Sequence, residues 1–155
     1  MKHKTVRTTL ILLAALLFLF VAAVPAAAAI VDGAEHGGRP FLVTMTGAQE
    51  APGPGDPDGV GTAFITLNQG QGEVCWELTV SGIAPATAAH IHRAPVGEPG
   101  PIVVPLSPPT DGSSSGCTSA APALIKEIRQ NPSAFYVNVH NADFPAGAVR
   151  AQLSK

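Results

Sequence analysis

The chain reads as an all-β protein, an antiparallel Greek-key β-sandwich of about seven to eight short strands with one short helix, preceded by a signal peptide. Three observations predict this. Short runs with apolar residues on alternate positions recur from residue 41 to residue 153. Clusters of Gly, Pro, Asn and Asp punctuate them. A single stretch near residue 125 has helical periodicity instead.

The elements follow in order. Lys2, Lys4 and Arg7 precede an unbroken apolar run from Leu10 to Val24, Pro25 breaks it, and Ala28 and Ala29 offer small-residue cleavage positions. Residues 1–29 therefore read as an export signal. The run is shorter than the roughly 20 residues that span a bilayer. Extending it through Pro25 to Val31 reaches that length, so the alternative is a retained anchor. Residues 30–40 read as a flexible lead-in, and 41–155 as one domain large enough for a single core.

Phe41–Thr46 is the first strand, and the turn-rich stretch at 51–59 cannot be regular structure. Gly61–Leu67 and Glu73–Ser81 flank Asn68-Gln69-Gly70-Gln71-Gly72, a hairpin loop. His90–Arg93 leads through a Pro/Gly loop into Ile102–Leu106, and a Ser/Pro/Gly-rich loop is expected to run to about Ala120. Pro122–Gln130 is the helix: Leu124, Ile125 and Ile128 share one side, and Asn131-Pro132 ends it. Phe135–His140 and Ala148–Leu153 close the chain as strands.

Charge narrows the function classes. Beyond residue 29 the chain keeps six Lys/Arg and all eleven acidic residues, without a basic cluster, which disfavours nucleic acid and anionic lipid as partners. The chain has two cysteines, Cys75 and Cys117, and export places them where disulfides persist. Closing a loop of about 43 residues stabilises the fold by roughly 4 kcal/mol in the chain-entropy model. Cys75 alternates out of phase with Val74, Trp76 and Leu78, so the bond is expected to pin the Ser113–Gly116 loop against the outside of the sheet. Trp76 belongs with the core.

The chemistry concentrates in three histidines. In Ala89-His90-Ile91-His92 both imidazoles point one way and the apolar residues the other. In Phe135–His140, Tyr136, Asn138 and His140 share the face opposite Phe135, Val137 and Val139. If these strands are neighbours, His90, His92 and His140 converge outside the core, where neutral imidazoles suit copper, zinc or nickel. The bland reading is a hydrogen-bonded polar patch that orders loops. Tyr136 and Asn138 are placed to orient the ring of His140. Arg150 reads foremost as one half of a structural ion pair with Glu50 or Asp143, and otherwise as an anion-attracting neighbour of the histidines. Asp143, three residues beyond His140, is a weaker candidate ligand. The glycines of 94–101 are followed by neither Lys-Ser/Thr nor a helix, so they form no phosphate cradle. No nucleophile elbow and no persuasive pair of carboxylates is present.

Four segments, TGAQEAP at 46–52, SGIAPATAAHIH at 81–92, GEPGPIVVPL at 97–106 and YVNVHNADFPAGAVRAQL at 136–153, resemble the CHRD domain, first recognised in chordin. The resemblance implies a secreted, non-catalytic β-sandwich module with an extracellular ligand or protein partner. Where the family carries Gly-Glu before the last strand and Gly after its arginine, this chain has Ala148 and Ala151, so no role of that glutamate carries over. Glu50, in a segment that matches the family, is the expected fourth ligand or a support for the histidines. A weaker, architectural likeness is to the copper/zinc superoxide dismutases, which also hold copper with an H-x-H strand and a later histidine. The zinc half of such a site is missing, since His36 is the only other histidine after residue 29. The likeness ranks copper ahead of zinc. It also defines an alternative, a mononuclear copper oxidoreductase; a structural cell-surface module without metal is the other.

Overall fold

The computed structural model describes residues 39–154. The expected export signal and residues 30–38 of the lead-in lie outside the described residues. Among the described residues no helix is long and apolar enough to cross a membrane.

Eight antiparallel strands and one helix build the domain: β1 Arg39–Thr46, β2 Val60–Asn68, β3 Glu73–Ser81, β4 Ala86–Arg93, β5 Ile102–Leu106, β6 Ser113–Ser119, α1 Pro122–Gln130, β7 Phe135–Asn141 and β8 Val149–Gln152. The ladder runs β5-β4-β7-β8-β1-β2-β3-β6. It is nearly a barrel with two seams. At one, β8 and β1 share the single pair Thr46–Arg150. At the other, the edge strands β5 and β6 approach each other, and the Ser114 hydroxyl donates to the Ser107 carbonyl at 2.7 Å. The result is two four-stranded halves, β1-β2-β3-β6 and β5-β4-β7-β8, joined in Greek-key fashion because β6 returns to lie beside β3.

Alternation explains the packing. Phe41, Met45, Ile65, Leu67, Val74 and Leu78 of the first half meet Ile91, Val104, Val137 and Val139 of the second, all essentially without exposed surface. Helix α1 lies where the periodicity put it, with Ile125 and Ile128 fully buried against that core. Pro122 opens it at a position that needs no N–H donor, and the chain leaves the helix at Asn131.

Three expectations change. The Ser/Gly segment expected as a loop is strand β6. Its sequence lacks apolar alternation because it is an edge strand whose inward positions are small: a Cβ on Gly116 would come within 2.9 Å of the Trp76 ring. Cys75 and Cys117 do form a disulfide, between directly opposed residues of β3 and β6, so the bond staples a strand rather than a loop. Strands β1 and β4 also begin earlier than the alternation suggested, at Arg39 and Ala86.

Candidate metal centre

Strands β4 and β7 are hydrogen-bonded neighbours with Ala88 opposite His140, His90 opposite Asn138 and His92 opposite Tyr136. This register puts all three imidazoles on one face, with His140 diagonal to His90, a step long side chains span. The ring centres of His90 lie 5.4 Å from His92 and 5.1 Å from His140, and those of His92 and His140 are 6.1 Å apart. One ring nitrogen from each lies within 4.8 Å of the other two. A shared ion with bonds near 2.0 Å wants these nitrogens about 3.3 Å apart, so ring rotation must close the remaining gap. The His90–His140 pair is already at 3.2 Å.

Backbone carbonyls decide which nitrogens are free. His92 donates from Nδ1 to the Gly100 carbonyl at 2.8 Å, and His140 donates from Nδ1 to the Pro145 carbonyl at 3.1 Å. Each Nε2 is then a bare lone pair. That of His140 accepts from His90 Nδ1 and lies 3.1 Å from Asn138 Oδ1, itself an acceptor. That of His92 is buried and makes no well-formed hydrogen bond, with the Asn138 side chain as its polar neighbour. Outer hydrogen bonds of this kind fix imidazole tautomers at metal sites. Burial, reinforced by the neighbouring imidazoles His140 and His92, holds His90 down at about 4. Burial also lowers His92 and His140, against carbonyl bonds that pull the other way. All three are neutral at neutral pH, the form that binds metal.

A second layer supports the rings. Tyr136 stacks on His92 with ring centres 4.7 Å apart and planes 4° from parallel. Strands β4 and β8 flank β7 on opposite sides, so the Arg150 guanidinium, 3.4 Å from the Tyr136 ring centre, covers the other face. Arg150 is 1 % exposed. The expected ion pair with Glu50 or Asp143 is absent; among the described residues the ion pair is Arg93–Glu127. Arg150 instead donates to the carbonyls of Glu98 and Pro95 at 2.9 and 3.0 Å and to Gln152 Oε1 at 3.2 Å. Its buried surface offers no solvent-facing anion site, while its charge reaches Tyr136 and Glu50.

These contacts clamp the 94–101 loop over the sheet. The Gly100 N–H donates to the Tyr136 hydroxyl at 3.2 Å, and the Gln152 amide donates to the Ala94 carbonyl at 2.8 Å. Sequence reasoning missed Gln152 and the two carbonyls that set the imidazole tautomers. The one available signal was the alternation that puts Gln152 and Arg150 on the face of the histidines.

Glu50 and Asp143 stand outside the histidine group. Glu50 follows the 3-10 turn Gly47–Gln49 and is buried, its carboxylate packed where a Cβ on Gly147 would lie and its Cγ against Gly55. Both Glu50 carboxylate oxygens are buried, with the Ala51 N–H, the Asn138 side chain and the Arg150 guanidinium as their polar neighbours. Burial pushes its pKa up to about 7, moderated by the nearby charge of Arg150. Asp143 is exposed on the loop after β7 and, with Glu50, lines a separate cleft. Glu73, Cys75 and Cys117 also cluster, but both sulfurs are committed to the disulfide.

Comparison with curated proteins and with solved structures finds no match. The family model described as the CHRD domain matches residues 41–153, from the first residue of the expected domain to the residue after β8, and carries both histidine segments within it. The chain belongs to the CHRD domain family.

Proposed function

We propose that this protein is an exported, non-catalytic CHRD module that binds one copper ion through His90, His92 and His140. The observation that carries the reading is the Nε2 lone pair of His92. It is buried and makes no well-formed hydrogen bond, the Asn138 side chain being its polar neighbour, and its tautomer is set by a carbonyl on the far side of the ring. An unsatisfied buried polar atom costs stability, and a metal ion would satisfy it. The second support is the pair of carbonyls behind His92 and His140, the arrangement that orients ligating imidazoles. Copper stands ahead of zinc because an all-imidazole site binds it more strongly along the divalent series. On loading, His90 would shift its proton from Nδ1 to Nε2 and release His140 Nε2 to the ion. Family membership and the formed disulfide support an oxidising, extracytoplasmic location.

Titration of the purified protein with Cu(II) and Zn(II), followed by calorimetry and electron paramagnetic resonance, tests this. Tight one-to-one copper binding with several nitrogen ligands, abolished in His92→Ala, is the expected result. Equal weak binding by both proteins would leave only the hydrogen-bonded patch. His90 and His140 are half-buried, which leaves an open side on a bound ion and favours one second reading, a mononuclear copper oxidoreductase. Superoxide turnover by the copper-loaded protein well above that of free copper would select it.

A further inference from the structure

Asn138 has no part in the copper reading beyond bordering the rings, yet its amide oxygen stands among their lone pairs. It lies on β7 directly opposite His90 of β4 and is 1 % exposed. Its Oδ1 is 3.1 Å from His140 Nε2, and its side chain is also the polar neighbour of His92 Nε2. With the Nδ1 of each ring donating to a carbonyl, both Nε2 atoms are acceptors, and so is Oδ1. The Asn138 side chain also borders the buried carboxyl group of Glu50, which when ionised only accepts. The amide nitrogen therefore belongs toward Glu50 and the oxygen toward the imidazoles. Three acceptor atoms thus gather in one place, and His90 brings a single N–H to them. One proton cannot satisfy three sets of lone pairs; a cation can. The spacing agrees. Atoms that share an ion at bonds near 2.0 Å lie about 3 Å apart. His140 Nε2 is 3.2 Å from His90 Nδ1 and 3.1 Å from Asn138 Oδ1.

We propose that Asn138 supplies a fourth ligand through Oδ1, and that this oxygen biases the site toward Cu(II) against Cu(I); the inference rests on the copper reading above. Imidazole serves both oxidation states, whereas an amide oxygen is a hard donor suited to the more highly charged ion.

The test compares the wild type with Asn138→Leu, which is close in volume but has no oxygen, by competition titration with Cu(II) and, under anaerobic reducing conditions, with Cu(I). The variant should bind Cu(II) at least about tenfold more weakly and Cu(I) within about twofold of the wild type. Equal weakening of both ions would mean that the substitution merely disturbs the histidines, and would overturn the proposal. Tight Cu(II) binding by the wild type that Asn138→Leu leaves unchanged would overturn the fourth ligand alone. No tight Cu(II) binding by the wild type would overturn the copper reading and the fourth ligand with it. A second measurement needs no variant, and so decides the matter even if Asn138→Leu fails to fold. In wild-type protein labelled with ¹⁵N at asparagine only, the electron spin echo of bound Cu(II) should carry a ¹⁵N modulation from the amide nitrogen attached to the ligating carbonyl group. Its absence from copper-loaded protein would overturn the proposal.

Discussion

The two halves of the sandwich share one core yet finish their outer faces in different ways. Outside β1-β2-β3-β6 the register lines up Thr44, Thr62, Thr79 and Ser113 across four strands. Thr62 and Thr79 hydrogen-bond to each other at 2.7 Å, water can reach the row, and the Cys75–Cys117 bond staples the edge. Outside β5-β4-β7-β8 the corresponding positions hold His92, Tyr136, Asn138 and Arg150, all buried beneath the 94–101 loop. Polar groups on an open face are satisfied by solvent at little cost. Polar groups under a cover need a partner for every donor and acceptor. The covered half meets most of that demand with backbone carbonyls; His92 Nε2 is one of the exceptions, with Asn141 Nδ2, and it is the one that faces the other two imidazoles.

The sharpest way to break this contrast is to cut the staple. Replacing both cysteines by serine should destabilise the protein by about 2–5 kcal/mol, read as a lower urea midpoint, while copper affinity stays within twofold because the bond lies in the other half. Parallel loss of copper binding would show that the halves are not independent. Next in size, His92→Ala should weaken copper by at least about a hundredfold, since even outer partners of ligating imidazoles are worth ten- to a hundredfold. Arg150→Met should cost about 1.5–3 kcal/mol, by leaving the Pro95 and Glu98 carbonyls without their charged donor. It should also loosen copper by about tenfold as the cover over His92 frees.

The pH dependence sharpens the comparison further. Each histidine has a folded pKa below its ordinary value, His90 at about 4, so below pH 6.5 the unfolded chain takes up protons that the folded chain refuses. This stability is full above pH 6.5 and drains as pH falls. Glu50 has the opposite sign: raised to about 7, its contribution is full below pH 4.5 and drains as pH rises to 7. Urea unfolding of metal-free protein at pH 5 and 7.5 should therefore show a steeper acid loss in Glu50→Gln and a shallower one in His90→Gln. The smallest effect is expected on the open face, where Thr62→Val should change stability by no more than about 0.5 kcal/mol.

Much of this was legible in the residues. The helix bounds, the alternation that turns His90, His92 and His140 away from the core, and the pairing of Cys75 with Cys117 all followed from local pattern. β6 was hidden because an edge strand of Ser and Gly has no apolar rhythm to read. Glu50, expected as a fourth ligand or a support for the histidines, lies outside the ligand group beside Gly147 and neighbours Asn138, the residue that borders His92 and His140. Arg150 was expected to find an acid and found carbonyls.

The amino-acid order by itself determined which side of each strand faces the core, because side chains alternate with a period of two whatever the strand pairs with. Only the tertiary structure decided which outer face is covered, which carbonyl meets which imidazole nitrogen, and which carboxylate is buried. Those outcomes depend on the register between β4 and β7 and on a loop folding back over β8, contacts between residues some fifty positions apart that no local pattern encodes.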